Sequence, residues 1–156
     1  PGQGATFTVR IPARQSEPVV ETQINGAFQR TYAVLVVDDD LTNLRVAHRQ
    51  LSYLGMQVEE ARTGEDALER CRRRKYDLIL MDLQMPNMDG FSITSLIKQD
   101  RDGMNRQTPV IAFSAHTGES EHNKCREAGM VAFLNKPLQR ETLARKLEAL
   151  ERRGIL

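Results

Sequence analysis

Aspartates and a lysine close three of the apolar runs in this chain. Val34-Leu35-Val36-Val37 runs into Asp38-Asp39-Asp40, Leu78-Ile79-Leu80-Met81 into Asp82, and Phe133-Leu134 into Asn135-Lys136-Pro137. Several carboxylates and one ammonium in a small space suit a hard divalent cation such as Mg²⁺ together with a phosphoryl group. An aspartate can itself accept that group as an acyl phosphate, provided the transferring charge is neutralised and its oxygens are held. Asp82 is the candidate acceptor, since it follows a wholly apolar run and precedes the turn Met85-Pro86-Asn87-Met88-Asp89-Gly90. Asp38 and Asp39 are candidate cation ligands. Ser114 offers a hydroxyl to a phosphate oxygen, and Lys136 offers a positive charge.

That chemistry requires the residues to converge, which depends on the elements that carry them. A short apolar run bounded by turn signals reads as a buried parallel strand, and ligands collect outside the carboxyl ends of such strands. From Thr31 onward strand and helix signals alternate five times, which predicts an α/β fold: a doubly wound, five-stranded parallel sheet with helices on both faces and right-handed crossovers. Strands are expected over 33–37, 57–61, 78–81, 109–113 and 132–134. The first helix turns Leu41, Leu44, Ala47, Leu51 and Leu54 inward, with Asp40 as cap and Gly55 as stop. Thr63 caps a second helix carrying Ala67, Leu68 and Cys71. A third begins near Asp89 and buries Ile93, Leu96 and Ile97, and residues 100–108 read as a polar loop. Glu119 to Ala128 is weakly apolar and should pack shallowly, while Leu143, Leu147 and Leu150 form the stripe of the last helix. Ahead of all this, Thr6 to Ile11 alternates like a strand and stops at Pro12, and residues 13–31 read as a linker with little to bury.

Composition narrows the function classes. The 156 residues are 40% apolar and 28% charged, with a net charge of +1, so no field favours nucleic acid or an anionic membrane. Arg72-Arg73-Arg74-Lys75 reads as the solvated end of a helix. No apolar run approaches the roughly 20 residues of a membrane span, and no signal peptide is evident. Cys71 and Cys125 lack CxxC spacing and read as buried free thiols in a reducing, cytoplasmic compartment. His48, His116 and His122 have no metal-ligand spacing, which argues against zinc.

Four dispersed motifs, Val36-Val37-Asp38-Asp39, Met81 through Gly90, Ile111-Ala112-Phe113-Ser114-Ala115 and Phe133 through Pro137, resemble the receiver domain of two-component response regulators, in order and at family spacing. The resemblance covers residues 32–153 and implies a flavodoxin-like sheet of strand order 2-1-3-4-5. It implies that Asp82 is the phosphoacceptor and that Asp39 and Asp82 bind Mg²⁺ (or Mn²⁺) directly, with Asp38 through water and the Gln84 carbonyl completing the shell. Ser114 would be the switch hydroxyl with Phe133 as its aromatic partner, and Lys136 would contact the phosphoryl oxygens through a turn with a cis bond to Pro137. Gln84 and His116 would flank the path of the hydrolytic water. Two departures stand out: Asp40, where many receivers have asparagine, and Val131-Ala132, where an acidic pair is common.

Residues 1–12 resemble the closing turn and strand of a histidine-kinase ATP-binding domain, and that order implies a hybrid sensor histidine kinase as parent. Its partners would be a kinase phosphohistidine domain, in the same or another chain, and a histidine phosphotransfer domain, with no nucleic acid and no direct membrane contact by this segment. The segment would catalyse only its own aspartyl phosphorylation and dephosphorylation, while an ATP-dependent, membrane-anchored parent would do the rest.

Blander and rival readings bear on the same residues. Singly, Asp38 or Asp40 is a helix cap more often than a ligand, Ser114 a loop hydroxyl and Phe133 core. A metabolite hydrolase resembling the haloacid dehalogenase family would carry a second acid where Gln84 stands. His48 as a phosphorylated histidine would want an acid where Arg49 stands, so it reads as a helix-surface residue. A receiver-like docking module independent of phosphorylation is the alternative that remains.

Overall fold

A strand with apolar residues on both faces has no side to offer water. Accordingly β1 (Ala33–Val37), β3 (Leu78–Asp82) and β4 (Val110–Ser114) form the buried middle of the sheet. The computed structural model describes residues 28, 30–116 and 118–156. The strand expected over Thr6 to Ile11, the kinase-like tail and nearly all of the linker lie outside them. At the margins are β2 (Gln57–Ala61), with its two glutamates, and β5 (Ala132–Asn135). All neighbours are parallel and the order is β2-β1-β3-β4-β5, as expected.

The register aligns the tips. Val37 lies opposite Met81, which puts Asp38 beside Asp82, and Ser114 lies opposite Asn135, which puts Lys136 one residue beyond.

Helices α1 (Leu41–Tyr53) and α5 (Arg140–Arg152) cover one face over Val34, Val36, Leu80 and Ile111. On the other face α2 (Gly64–Arg73), α3 (Gly90–Gln99) and α4 (Glu119–Glu127) cover Leu35, Val37, Ile79 and Ala112. Side-chain caps start three of them: Asp40 accepts from the Thr42 and Asn43 amides, Thr63 from Asp66, and Asp89 from Ser92. Each such cap contributes about 1 kcal/mol. Gly55, at φ 87°, turns the chain out of α1 through a conformation that glycine alone adopts without strain. Helix α4 starts at Gly118 without a side-chain cap and buries only Cys125, so its packing is as shallow as its sequence suggests.

Four details correct the sequence reading. Leu96 is 46% exposed, because Ile93 and Ile97 fill the contact of α3 and Leu96 lies about 100° round the helix from Ile97. Leu41 is 42% exposed, since it opens α1 a turn before the first buried leucine, Leu44. The strand ends shift by a residue: β3 includes Asp82, β4 starts after Pro109 and includes Ser114, and β5 includes Asn135. The stretch between α3 and β4 is not simply a solvated loop, because Asn105 and Thr108 are each 1% exposed within it. Both cysteines are free and buried, as expected, and burial pushes the Cys71 thiol up to about 11.

Candidate functional site

Asp38 extends β1 by one residue: its amide donates to the Ala61 carbonyl at 3.1 Å and its side chain is fully buried. Asp38 Oδ1 accepts from the Asp40 amide at 2.9 Å. Its Oδ2 lies 2.9 Å from Lys136 Nζ, a contact close enough for an ion pair but not aligned as a hydrogen bond, so a buried lone pair remains without a directed donor. Asp82, 2% exposed, accepts from the Gln84 amide at 3.1 Å, and the same Oδ1 is 3.1 Å from Lys136 Nζ. One carboxylate oxygen from each of Asp38, Asp39 and Asp82 lies within 4.8 Å of the others.

Lys136 is aimed by its backbone, whose amide donates to the Ser114 carbonyl at 2.9 Å, and by the Phe113 ring, whose centroid is 5.0 Å from Nζ. The next peptide bond, to Pro137, is cis, as expected. Gly90 lets α3 begin directly behind Asp82, where a Cβ would stand 2.3 Å from the Asp82 carbonyl oxygen.

Three carboxylates face one ammonium, and the electrostatics follow from that imbalance. Burial pushes the Asp82 carboxyl up to about 6; the Gln84 amide draws it down, Asp38 drives it further up, and Lys136 again draws it down. Burial alone would lower the Lys136 ammonium, but Asp38 and Asp82 outweigh it and the net shift is upward, which holds the lysine as a cation. A site of oxygen donors with surplus negative charge and an undirected buried lone pair fits a hard divalent cation.

The remaining candidates are placed as follows. Ser114 is buried, and its Oγ accepts from the His116 amide at 3.1 Å. Phe133 is half-buried, and its ring stacks on His122 with centroids 4.3 Å apart and planes at 21°. Gln84 and His116 are exposed, and among the described residues no side-chain hydrogen bond joins either to the acids. Asp40 is an exposed helix cap, with Oδ1 2.7 Å from the Thr42 amide. His48 lies on the surface of α1, 2.7 Å from Glu60 Oε2. Two features escaped the sequence reading: one lysine bridging both buried acids, and His122 against Phe133. Convergence of strand tips implied the first only in outline, and no spacing signals the second.

A model of the response regulator receiver domain matches residues 34–148. The chain belongs to that family. The sensor protein EvgS of Escherichia coli (strain K12) is 34% identical over 154 residues, covering 96% of this chain and 12% of EvgS, so the chain spans about an eighth of that relative. The receiver domain of sensor histidine kinase PA1611 from Pseudomonas aeruginosa PAO1, solved with a magnesium ion in its active-site cleft, is 33% identical with a TM-score of 0.69 over 77% of this chain and 97% of its own. Chemotaxis protein CheY4 of Vibrio cholerae superposes with a TM-score of 0.72 at 27% identity, over 77% of this chain and 98% of its own. Among the described residues of the receiver, no helix is long and apolar enough to cross a membrane.

Proposed function

We propose that this receiver accepts a phosphoryl group from a phosphohistidine onto Asp82 in a Mg²⁺-dependent phosphorelay step and switches partner binding in response. The observation that carries the reading is a nearly inaccessible carboxylate, Asp82, held 3.1 Å from Lys136 within a three-carboxylate cluster. Asp39 and Asp82 would hold Mg²⁺ (or Mn²⁺) directly, Asp38 through water, and the Gln84 carbonyl would complete the set. The cation, when bound, supplies positive charge to the oxygens of the transferring group.

The chain's own residues do the rest. Asp82 presents an oxygen to phosphorus; that bond forms as the phosphorus–nitrogen bond breaks and its electron pair returns to the donor imidazole. Lys136, kept charged by its two acids, meets the oxygens of the arriving group. Ser114, whose Oγ accepts from the His116 amide at rest, moves to donate its hydroxyl proton to a phosphoryl oxygen, and Phe133 turns inward after it. Gln84 and His116 flank the approach of the hydrolytic water.

Similarity to EvgS over nearly the whole chain, and to a receiver from a sensor histidine kinase, supports a hybrid sensor histidine kinase as parent. Residues 1–12 are then the end of its ATP-binding domain, 13–31 a linker and 32–153 the receiver. Its partners are a kinase phosphohistidine domain and a histidine phosphotransfer domain, met in the cytoplasm. The test is mass spectrometry after exposure to a phosphohistidine donor with Mg²⁺. Wild type should gain one phosphoryl group and Asp82→Asn none, and the group should decay several-fold differently in Gln84→Ala and His116→Ala. Unchanged labelling of Asp82→Asn would overturn the assignment.

A further inference from the structure

Phe133 stands on the marginal strand β5, half-buried, with its ring face on the imidazole of His122 rather than enclosed by the sheet. The centroid distance of 4.3 Å and the 21° between planes make this a stacked pair. His122 comes from α4, the helix with the least to hold it: one buried residue, Cys125, and no side-chain cap. An exposed stack can therefore decide where α4 and the Phe133 ring rest relative to each other. It also walls a groove of about 320 Å³ that is lined further by Cys125, Arg126, Met130 and Lys146, so opening the stack reshapes a surface that a partner can read.

We propose that His122 is a positioning residue of the switch, a latch whose imidazole holds the Phe133 ring against α4 and so sets how readily the receiver adopts its phosphorylated arrangement. The proposal rests on the reading of Ser114 and Phe133 as the switch pair. A ring turning toward Ser114 must leave the face of His122. Whatever that stack contributes opposes the turn, and ligands that need the turned state bind more weakly by the same factor. His122 is not part of the acid cluster, so its removal shifts the population without altering the chemistry at Asp82.

The experiment uses the full chain, Mg²⁺ and beryllofluoride, a small phosphoryl mimic, with NMR of the three histidine rings assigned by substituting each histidine in turn. Without the mimic, Phe133→Leu should move the His122 ring resonances and leave those of His48 in place. Beryllofluoride added to wild type should move the His122 resonances toward their positions in Phe133→Leu. His122→Ala should lower the half-saturating beryllofluoride concentration about two- to tenfold, the equivalent of one aromatic pair, and His122→Phe should restore it. Three results would each overturn the latch: His122 resonances indifferent to Phe133→Leu, the same resonances fixed while the Ser114 and His116 amides respond to the mimic, or His122→Ala saturating at the wild-type concentration. If no amide near Asp82, Ser114 or His116 responded at all, the switch reading beneath it would have failed and the latch with it.

Discussion

Asn105 and Asp82 are both nearly buried polar residues, 1% and 2% exposed, at opposite ends of the central strands. Before β3 and β4 begin, the Asn105 amide nitrogen donates to the Cys71 and Arg74 carbonyls, each at 2.7 Å. Its oxygen accepts from the Tyr76 amide at 2.8 Å and lies 2.9 Å from the Thr108 hydroxyl, whose single proton it shares with the Tyr76 carbonyl at 3.0 Å. Every bonding site of that amide is met, and the groups that meet it are neutral. Where the strands end, Asp38 and Asp82 share one lysine, and an Asp38 oxygen has no aligned donor. A satisfied neutral cluster stabilises the fold, whereas a crowded ionic one costs stability until a ligand completes it. The same sheet thus keeps its firm end and its reactive end apart.

The largest effect should come from breaking the firm end. Asn105→Ala leaves the Tyr76 amide and two carbonyls without their partner, and each unsatisfied buried group costs about 1–3 kcal/mol. We expect a loss of about 3–5 kcal/mol in denaturant unfolding. A loss below about 1 kcal/mol would show that water replaces the amide and that the contrast between the two ends is not energetic.

At the reactive end the sign should reverse. The Asp82 carboxyl, at about 6 in the fold against an ordinary 3.8, favours folding only while protonated. Its contribution is complete below pH 3.8 and is lost as the pH rises through 6. Without Mg²⁺, Asp82→Asn should therefore be more stable than wild type by about 1–3 kcal/mol at pH 7, a gain that shrinks through pH 6 and vanishes near pH 4. Unfolding curves of both proteins across that range decide it. A variant that is less stable at pH 7 would mean that Lys136 needs both acids more than Asp82 resents its burial.

The two ends were not equally legible in the sequence. Asp38, Asp82, Ser114 and Lys136 could be placed because each closes an apolar run, and parallel strands of similar length bring their ends to one edge. The helices were legible through periodicity, but Leu41 and Leu96 show its limit: spacing marks a stripe, and only the neighbouring elements decide how wide a stripe is covered. Asn105 had no signal at all, since one asparagine among Asp100, Arg101, Asp102 and Arg106 looks like any solvated loop residue. Its burial depends on carbonyls of Cys71 and Arg74, about thirty residues away in sequence, that only the fold delivers. The His122 stack is hidden for the same reason.

Asp39 separates the effect of charge from that of burial, because it belongs to the acid cluster without being enclosed by it. One of its carboxylate oxygens lies within 4.8 Å of Asp38 and Asp82, yet it is only partly buried. Among the described residues its backbone carbonyl, not its carboxylate, makes a hydrogen bond beyond the neighbouring residues, accepting from Arg62 at 3.5 Å. Removing the side chain therefore breaks no hydrogen bond among the described residues and relieves some repulsion, while deleting one of the three carboxylates of the proposed cation site. Asp39→Ala should weaken Mg²⁺ binding about tenfold or more in a direct titration, yet change unfolding stability without Mg²⁺ by less than about 0.5 kcal/mol. Set beside the gain expected for Asp82→Asn, where a buried charge is removed, a neutral result at Asp39 would assign the cost of the reactive end to desolvation rather than to repulsion. A clear fall in metal-free stability would instead make Asp39 part of what holds the strand tips together, and the division between the two ends would have to be drawn elsewhere.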